Sequence, residues 1–207
     1  MIPVQRQPVP ADFDAKVRQP GRNWLIGRGL PLAGPLPAGT DPREYWRDCL
    51  DDLLVAYGRI CAFAAVDIPP VVGAPTVEHF RPKSRYAEDM YEWDNFRLMC
   101  GTLNGRKSNH EDVLDPFEIP DGTFQLDRDL GIHAAQGPLH DAAVATIARL
   151  KLDQADARAL REREWHAYLA GDISARFLRR RSPFVWREMV RLGMLDADKQ
   201  ATLAEPN

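Results

Sequence analysis

Two stretches decide the fold: Thr76-Val77-Glu78-His79-Phe80-Arg81-Pro82-Lys83-Ser84, and Trp93-Asp94-Asn95-Phe96-Arg97-Leu98-Met99-Cys100-Gly101-Thr102-Leu103-Asn104-Gly105-Arg106-Lys107-Ser108. Thr76 to Phe80 reads as an extended stretch, and Pro82 stops it. Phe96 to Met99 is a second short strand, broken by Gly101. Thr102 can cap a short helix running from about Leu103 to Asn109. On that helix Asn104 and Lys107 fall one turn apart and share a face. The residues around 60–110 therefore read as strand, loop, strand, helix.

This stretch gathers a small set of chemical groups. A carboxylate, Glu78, sits beside His79 at the end of an extended segment. One amide, Asn95, precedes the second strand, and another, Asn104, lies in the first helical turn. Hydrolysis of a phosphodiester needs a base for the attacking water and a cation to neutralise the phosphate and the leaving oxygen. Histidine titrates near neutral pH and can be the base. A hard cation such as Mg²⁺ takes oxygen ligands and keeps several waters, so one carboxylate and one amide oxygen are a plausible protein share of its shell. Adjacent strand residues point to opposite faces. For Glu78 and His79 to serve one site, the strand has to end or twist there.

The spacing resembles the HNH endonuclease motif. In that family an acidic residue and histidine are followed by a proline, then by a central asparagine. Nine residues later comes an asparagine or histidine, with a lysine three further on. Asn95, Asn104 and Lys107 stand at those intervals, and the likeness covers roughly residues 57–117. The resemblance implies a ββα-metal unit. It implies that Glu78 and Asn104 bind one divalent cation, Mg²⁺ or alternatively Mn²⁺, with His79 as general base. Asn95 would brace the loop that aims His79, and Lys107 would contact phosphate or tether the helix. Lys83 and Arg106 would touch the nucleic-acid backbone. An ordinary loop with a satisfied histidine is the competing reading of the same residues.

Many relatives hold a structural zinc between two Cys-x-x-Cys knuckles. Here those places read Cys61-Ala-Phe-Ala64 and Cys100-Gly-Thr-Leu103, one cysteine each. Two thiolates do not close a tetrahedral site, so no structural zinc is expected. Cys61 and Cys100 should instead be small residues packed near each other. Helices on either side then have to hold the unit.

Outward from this centre, Tyr45, Trp46, Cys49, Leu50, Leu53, Leu54 and Tyr57 recur at helical spacing after Thr40-Asp41-Pro42, predicting an amphipathic helix. Ile60 to Ile68 is short and apolar, a strand or hairpin arm, and Gly122 to Leu126 predicts another short strand. Residues 1–40 carry seven prolines (Pro3, Pro8, Pro10, Pro20, Pro31, Pro35 and Pro37), which predicts an arm without long helices. Phe13, Val17, Trp24 and Leu25 would anchor it. From Pro138 the pattern becomes helical, with Asp172 as a cap and Ser182-Pro183 as a break. The expected class is α+β, mainly helical. It has an arm (1–40), a nuclease core with its preceding helix (41–137), and a C-terminal helical bundle (138–207).

Net charge is −3 over 207 residues, which argues weakly against non-specific coating of nucleic acid and leaves room for local basic patches. The densest is Arg176, Arg179, Arg180 and Arg181, where Arg179 and Arg180 are candidates for gripping a backbone. An acidic protein partner or plain solvation would also account for it. His110, Asp115, His133, His140 and His166 lie outside the motif; His110 could add a contact and Asp115 could support the site or simply turn the chain. No apolar run reaches the eighteen or so residues a membrane helix needs, and no secretory leader is visible. A cytoplasmic location is expected. Three cysteines do not make a disulfide scaffold.

The leading expectation is a metal-dependent nuclease acting on DNA. The proline-rich N-terminus, the Tyr57-Gly-Arg-Ile-Cys61 stretch and the helical tail resemble the HNH component of Septu-type bacterial anti-phage defence systems, which would imply an ATPase partner. The alternative is an inactive nucleic-acid-binding or complex-bridging subunit of the same shape. A delivered DNase toxin is a third reading.

Overall fold

A computed structural model describes residues 1–70 and 73–195. The protein is a mixed α/β fold with seven α-helices and two two-stranded antiparallel sheets among those residues.

The N-terminal segment departs from the expected arm. A π-helical turn, Asp14–Arg18, runs straight into α1, Gln19–Gly27. Pro20 is tolerated because it falls at the start of the α-helical part, just after the widened turn, where a missing N–H leaves no gap in the ladder. The four anchors sit as the apolar spacing suggested: Phe13, Val17 and Leu25 are buried and Trp24 is half-buried. Gly21 lies flush on Tyr91, whose ring carbons would stand 2.2 Å from any Cβ placed there. Arg18 reaches Glu92 at 2.7 Å, and Phe13 packs edge-on against Trp93 and Phe96.

The helix expected from residue 41 begins later, as a 3₁₀ turn Tyr45–Cys49 leading into α2, Leu50–Ala56. Thr40 spends its hydroxyl on Pro37 O and caps nothing. Residues 60–68 form a tight turn closed by a single bridge, Ile60 to Asp67, in place of a strand. Ala62 N–H donates to Leu98 O and ties that turn to the sheet.

Strands β1, Pro75–His79, and β2, Phe96–Cys100, pair antiparallel, with Glu78 opposite Arg97 and His79 opposite Phe96. Helix α3, Gly101–Lys107, follows β2 directly; its N-cap is Cys100, with no side-chain cap, so the role expected of Thr102 falls away. The sequence thus folds locally as read: strand, excursion, strand, helix. Strand β3, Phe124–Leu126, pairs with β4, Ile132–Ala134. The second of these has only three residues and gave no clear period.

Helices α4 (His140–Leu150), α5 (Ala155–Leu169), α6 (Ala175–Arg181) and α7 (Pro183–Arg191) complete the description. Ser174, not Asp172, caps α6, accepting from Phe177 N–H at 3.1 Å. The rest of the expected C-terminal region, 196–207, lies outside the described residues. One hydrophobic cluster runs through all three segments, from Met1 and Phe13 through Phe96 and Leu98 to Trp165 and Met189. No helix among the described residues is long and apolar enough to cross a membrane.

Candidate functional site

β1 carries the first two site residues. Pairing with β2 ends at His79, and Phe80 N–H closes onto Asn95 O, so the chain turns away at that point. Glu78 faces α3, where Lys107 Nζ stands 2.6 Å from its Oε1. His79 turns to the other face. Its ring meets Trp46 and Phe96 edge-on, with centroids 4.8 and 5.1 Å away. A pocket of about 260 Å³ at the strand end is lined by both residues, with Val77, Pro82, Lys83, Asn104 and Ser108 among its walls. Ending the strand at His79 is what lets neighbours of opposite pleat reach one pocket.

The tautomer of His79 follows from its partner. Nε2 lies 2.8 Å from Met90 O, and a carbonyl oxygen only accepts, so Nε2 carries the proton. Burial, together with the positive fields of Lys83 and Lys107, depresses the ring pKa to about 3. The ring is therefore neutral near pH 7, with its lone pair on Nδ1. That atom is not sealed in the interior without a partner.

Asn95 holds this geometry. Its Oδ1 accepts from Arg81 N–H at 2.8 Å, while Nδ2 donates to Arg81 O at 3.0 Å and to Asp89 O at 3.1 Å. One amide thereby clamps the backbone just after His79 to the residue just before Met90, fixing both supports of the ring. Its capacity is spent on this, and it is buried.

Asn104 is oriented by a chain of donors. Thr76 Oγ donates its one proton to Met99 O at 2.8 Å, so toward Asn104 it can only accept. Nδ2 of Asn104 donates to it at 2.9 Å. The amide oxygen, Oδ1, is turned the other way. Thr76 and Glu78 share a face of β1, so this face presents a hydroxyl and a carboxylate to α3, which brings Asn104 to the same pocket.

Lys107 is fully buried. Besides Glu78, its Nζ donates to Phe80 O at 2.9 Å and His79 O at 3.2 Å. Of the two roles expected for it, the geometry is that of a tether, binding α3 to the end of β1; it has no surface to offer a phosphate. Burial raises the Glu78 carboxyl pKa, with Lys107, Lys83 and Arg97 pulling against it.

Lys83 is half-buried, lines the pocket and lies over the Trp46 ring at 5.1 Å. Arg106 does not join it. Its guanidinium turns to the helical region, donating to Leu150 O at 3.2 Å and to Asp156 at 2.5 Å. Arg179 and Arg180 are exposed on α6, stacked over Trp186 and Phe177, and neither lines this pocket. His110, His133 and His166 are exposed.

Several contributors escaped the sequence reading. Arg97, opposite Glu78, is buried and makes a two-pronged pair with Asp115 at 2.8 and 2.6 Å while lying over the Phe117 ring at 3.6 Å. Asp115 thus both supports β2 and turns the chain, accepting from Phe117 N–H at 3.0 Å. Thr76 and the Met90 carbonyl had no motif to mark them. Trp46 showed only as part of an apolar stripe.

Glu78 and Asn104, with Ser108 and Asn109 beside them, bring side-chain oxygens to this pocket. Among the described residues no group of three or more His, Cys, Asp or Glu side chains could hold a metal. Two hard oxygens suit a cation that keeps most of its waters. No protein-family model matches the chain, and no characterised protein matches it in sequence.

Proposed function

We propose that this protein is a metal-dependent endonuclease of the HNH type, hydrolysing phosphodiester bonds in DNA. The observation that carries the reading is the strand–strand–helix unit, Pro75–Lys107. His79, Glu78 and Asn104 all line one pocket at its strand end, which supports the reading. His79 Nδ1 takes the proton of the attacking water, and Met90 O holds the ring in the tautomer that allows it. Lys83, at the pocket wall, receives the phosphate. A pKa near 3 suits a neutral base poorly matched to pH 7. A bound phosphodiester anion offsets the Lys83 and Lys107 fields and leaves the larger effect of burial in place.

Glu78 and Asn104 would hold one divalent cation, Mg²⁺ or Mn²⁺, which supplies charge neutralisation at the phosphate and the leaving oxygen.

Supercoiled plasmid incubated with the protein and Mg²⁺ or Mn²⁺ tests the reading. Nicking that stops with EDTA and with His79→Ala supports it. A wild type that neither nicks nor linearises DNA or RNA under any of these metals, alone or beside its ATPase partner, sinks it. The second reading, an inactive bridging subunit, draws on the depth of His79, whose aromatic neighbours also suit a purely structural ring. It requires His79→Ala to keep every biological effect. A role in bacterial antiviral defence, with an ATPase controlling cleavage, is part of the proposal and rests on the resemblance in the N-terminal and C-terminal segments.

A further inference from the structure

The remaining thiols form a second, independent constellation. Cys61, in the turn after α2, and Cys100, at the β2–α3 junction, lie close enough for each thiol to perturb the other's ionisation. The backbone holds them there: Ala62 N–H donates to Leu98 O at 2.8 Å and Cys61 N–H to Val66 O at 2.9 Å. Both line a cavity of about 260 Å³ between the strand–strand–helix unit and α5–α7, on the far side of α3 from the Glu78 pocket's lining. That volume admits several molecules the size of water. Cys61 is buried, whereas Cys100 is half-buried. The third cysteine, Cys49, is fully buried elsewhere, its Sγ on Trp46 O.

We propose that Cys61 and Cys100 are a peroxide-reactive thiol pair that closes into a disulfide. The two sulfurs are unequal in the way such chemistry requires. The neighbouring Cys61 thiol, the backbone at the start of α3 and Arg106 draw the Cys100 pKa down to about 6 against the opposing effect of burial. The Cys100 thiol beside it and burial push Cys61 up. Cys100 is therefore the thiolate near pH 7 and the nucleophile. Its electron pair attacks one oxygen of hydrogen peroxide and the O–O bond breaks. The departing hydroxide takes up the proton Cys100 had released, giving water and a sulfenic acid. Cys61 sulfur then attacks Cys100 sulfur. The S–O bond breaks, and the hydroxide leaves with the Cys61 proton as a second water. Two thiols lose two electrons in all, and one peroxide gains them.

The bond would staple the turn after α2 to the first residue before α3, closing a loop that contains both β1 and β2. Helix α3 carries Asn104 and Lys107, so the staple acts on the element that faces Glu78.

Reduced full-length protein is treated with hydrogen peroxide at neutral pH, alkylated, digested and mapped by mass. The expected product has lost two hydrogens, contains a linked Cys61–Cys100 peptide, and leaves Cys49 to alkylate only on unfolding. Its melting temperature rises by about 5–10 °C and returns with dithiothreitol. Cys61→Ser should stop at a Cys100 sulfenic acid that dimedone captures. Over-oxidation of Cys100 with no linked peptide, a link between two molecules, or equal reaction rates at all three cysteines would each overturn the proposal. The wild-type map alone decides, so a variant that fails to fold leaves the answer intact.

Discussion

The strand–strand–helix pocket and the arginine cluster of α6 both looked like nucleic-acid chemistry in the sequence, and the fold treats them oppositely. Around the pocket the buried polar side chains are committed. Lys107 serves three acceptors, Asn95 three partners, and His79 one carbonyl. On α6, Arg179 and Arg180 stand exposed, each resting only on an aromatic ring. Groups fixed in advance lose little entropy when a reaction asks for them, and they are worth most where water is thin. Exposed arginines give charge without geometry, which suits attraction over a distance and dissolves in salt. Under the proposed reading, chemistry and grip are separable properties of this molecule.

The separation can be broken most severely at Lys107. Lys107→Met strands Glu78 without its buried partner and should lower stability by about 3–5 kcal/mol, read from urea unfolding. Adding Glu78→Gln should recover part of that loss; no recovery would mean the tether to the two carbonyls matters more than the pair. His79→Ala comes next. If the pocket is the reaction centre, cleavage falls by about 10²–10⁴-fold while DNA binding measured by anisotropy is unchanged. A parallel loss of binding would erase the distinction between the two regions. Asn95→Ala should act through His79, lowering cleavage by roughly tenfold or more and stability by about 1–3 kcal/mol.

A gentler probe is pH. His79 takes its proton near pH 6.5 when unfolded and near 3 when folded, so the unfolded chain protonates first as pH falls. Its neutral ring carries no penalty above about pH 6.5. From there down to about 3 the fold loses up to about 1.4 kcal/mol per pH unit. His79→Gln should flatten that slope in denaturation midpoints taken across the window. The smallest effect belongs to the cluster. Arg179→Ala with Arg180→Ala should move stability by less than about 0.5 kcal/mol each. If the pair grips DNA, the slope of log binding constant against log salt should drop by about 2. An unchanged slope would assign α6 to a protein partner or to solvent.

The sequence was legible where one interval carried one job. Asn95, Asn104 and Lys107 are spaced so that a strand and a single helical turn bring them to Glu78 and His79, and the short range left little for the rest of the fold to alter. Arg106 was misplaced because a seven-residue helix has a back as well as a front, and Asp156, fifty residues on, claims that side. The first forty residues were read from proline content, which is a local penalty. A π turn just ahead of Pro20 removed that penalty, and the burial of Phe13, Val17 and Leu25 decided the matter. Arg97 and Thr76 could not be singled out, since their importance lies in partners set by the strand register and by Asp115 on a later turn.

Gly21 gives the N-terminal helix a meaning beyond packing. Tyr91, on which it lies, is the immediate neighbour of Met90, whose carbonyl sets the proton of His79. A protease cut near Arg28 would spare every residue of the motif, yet remove the plate behind that carbonyl. The first helix is in this sense a remote jig for one proton, and its loss would be felt as a misaimed imidazole long before it was felt as a missing segment.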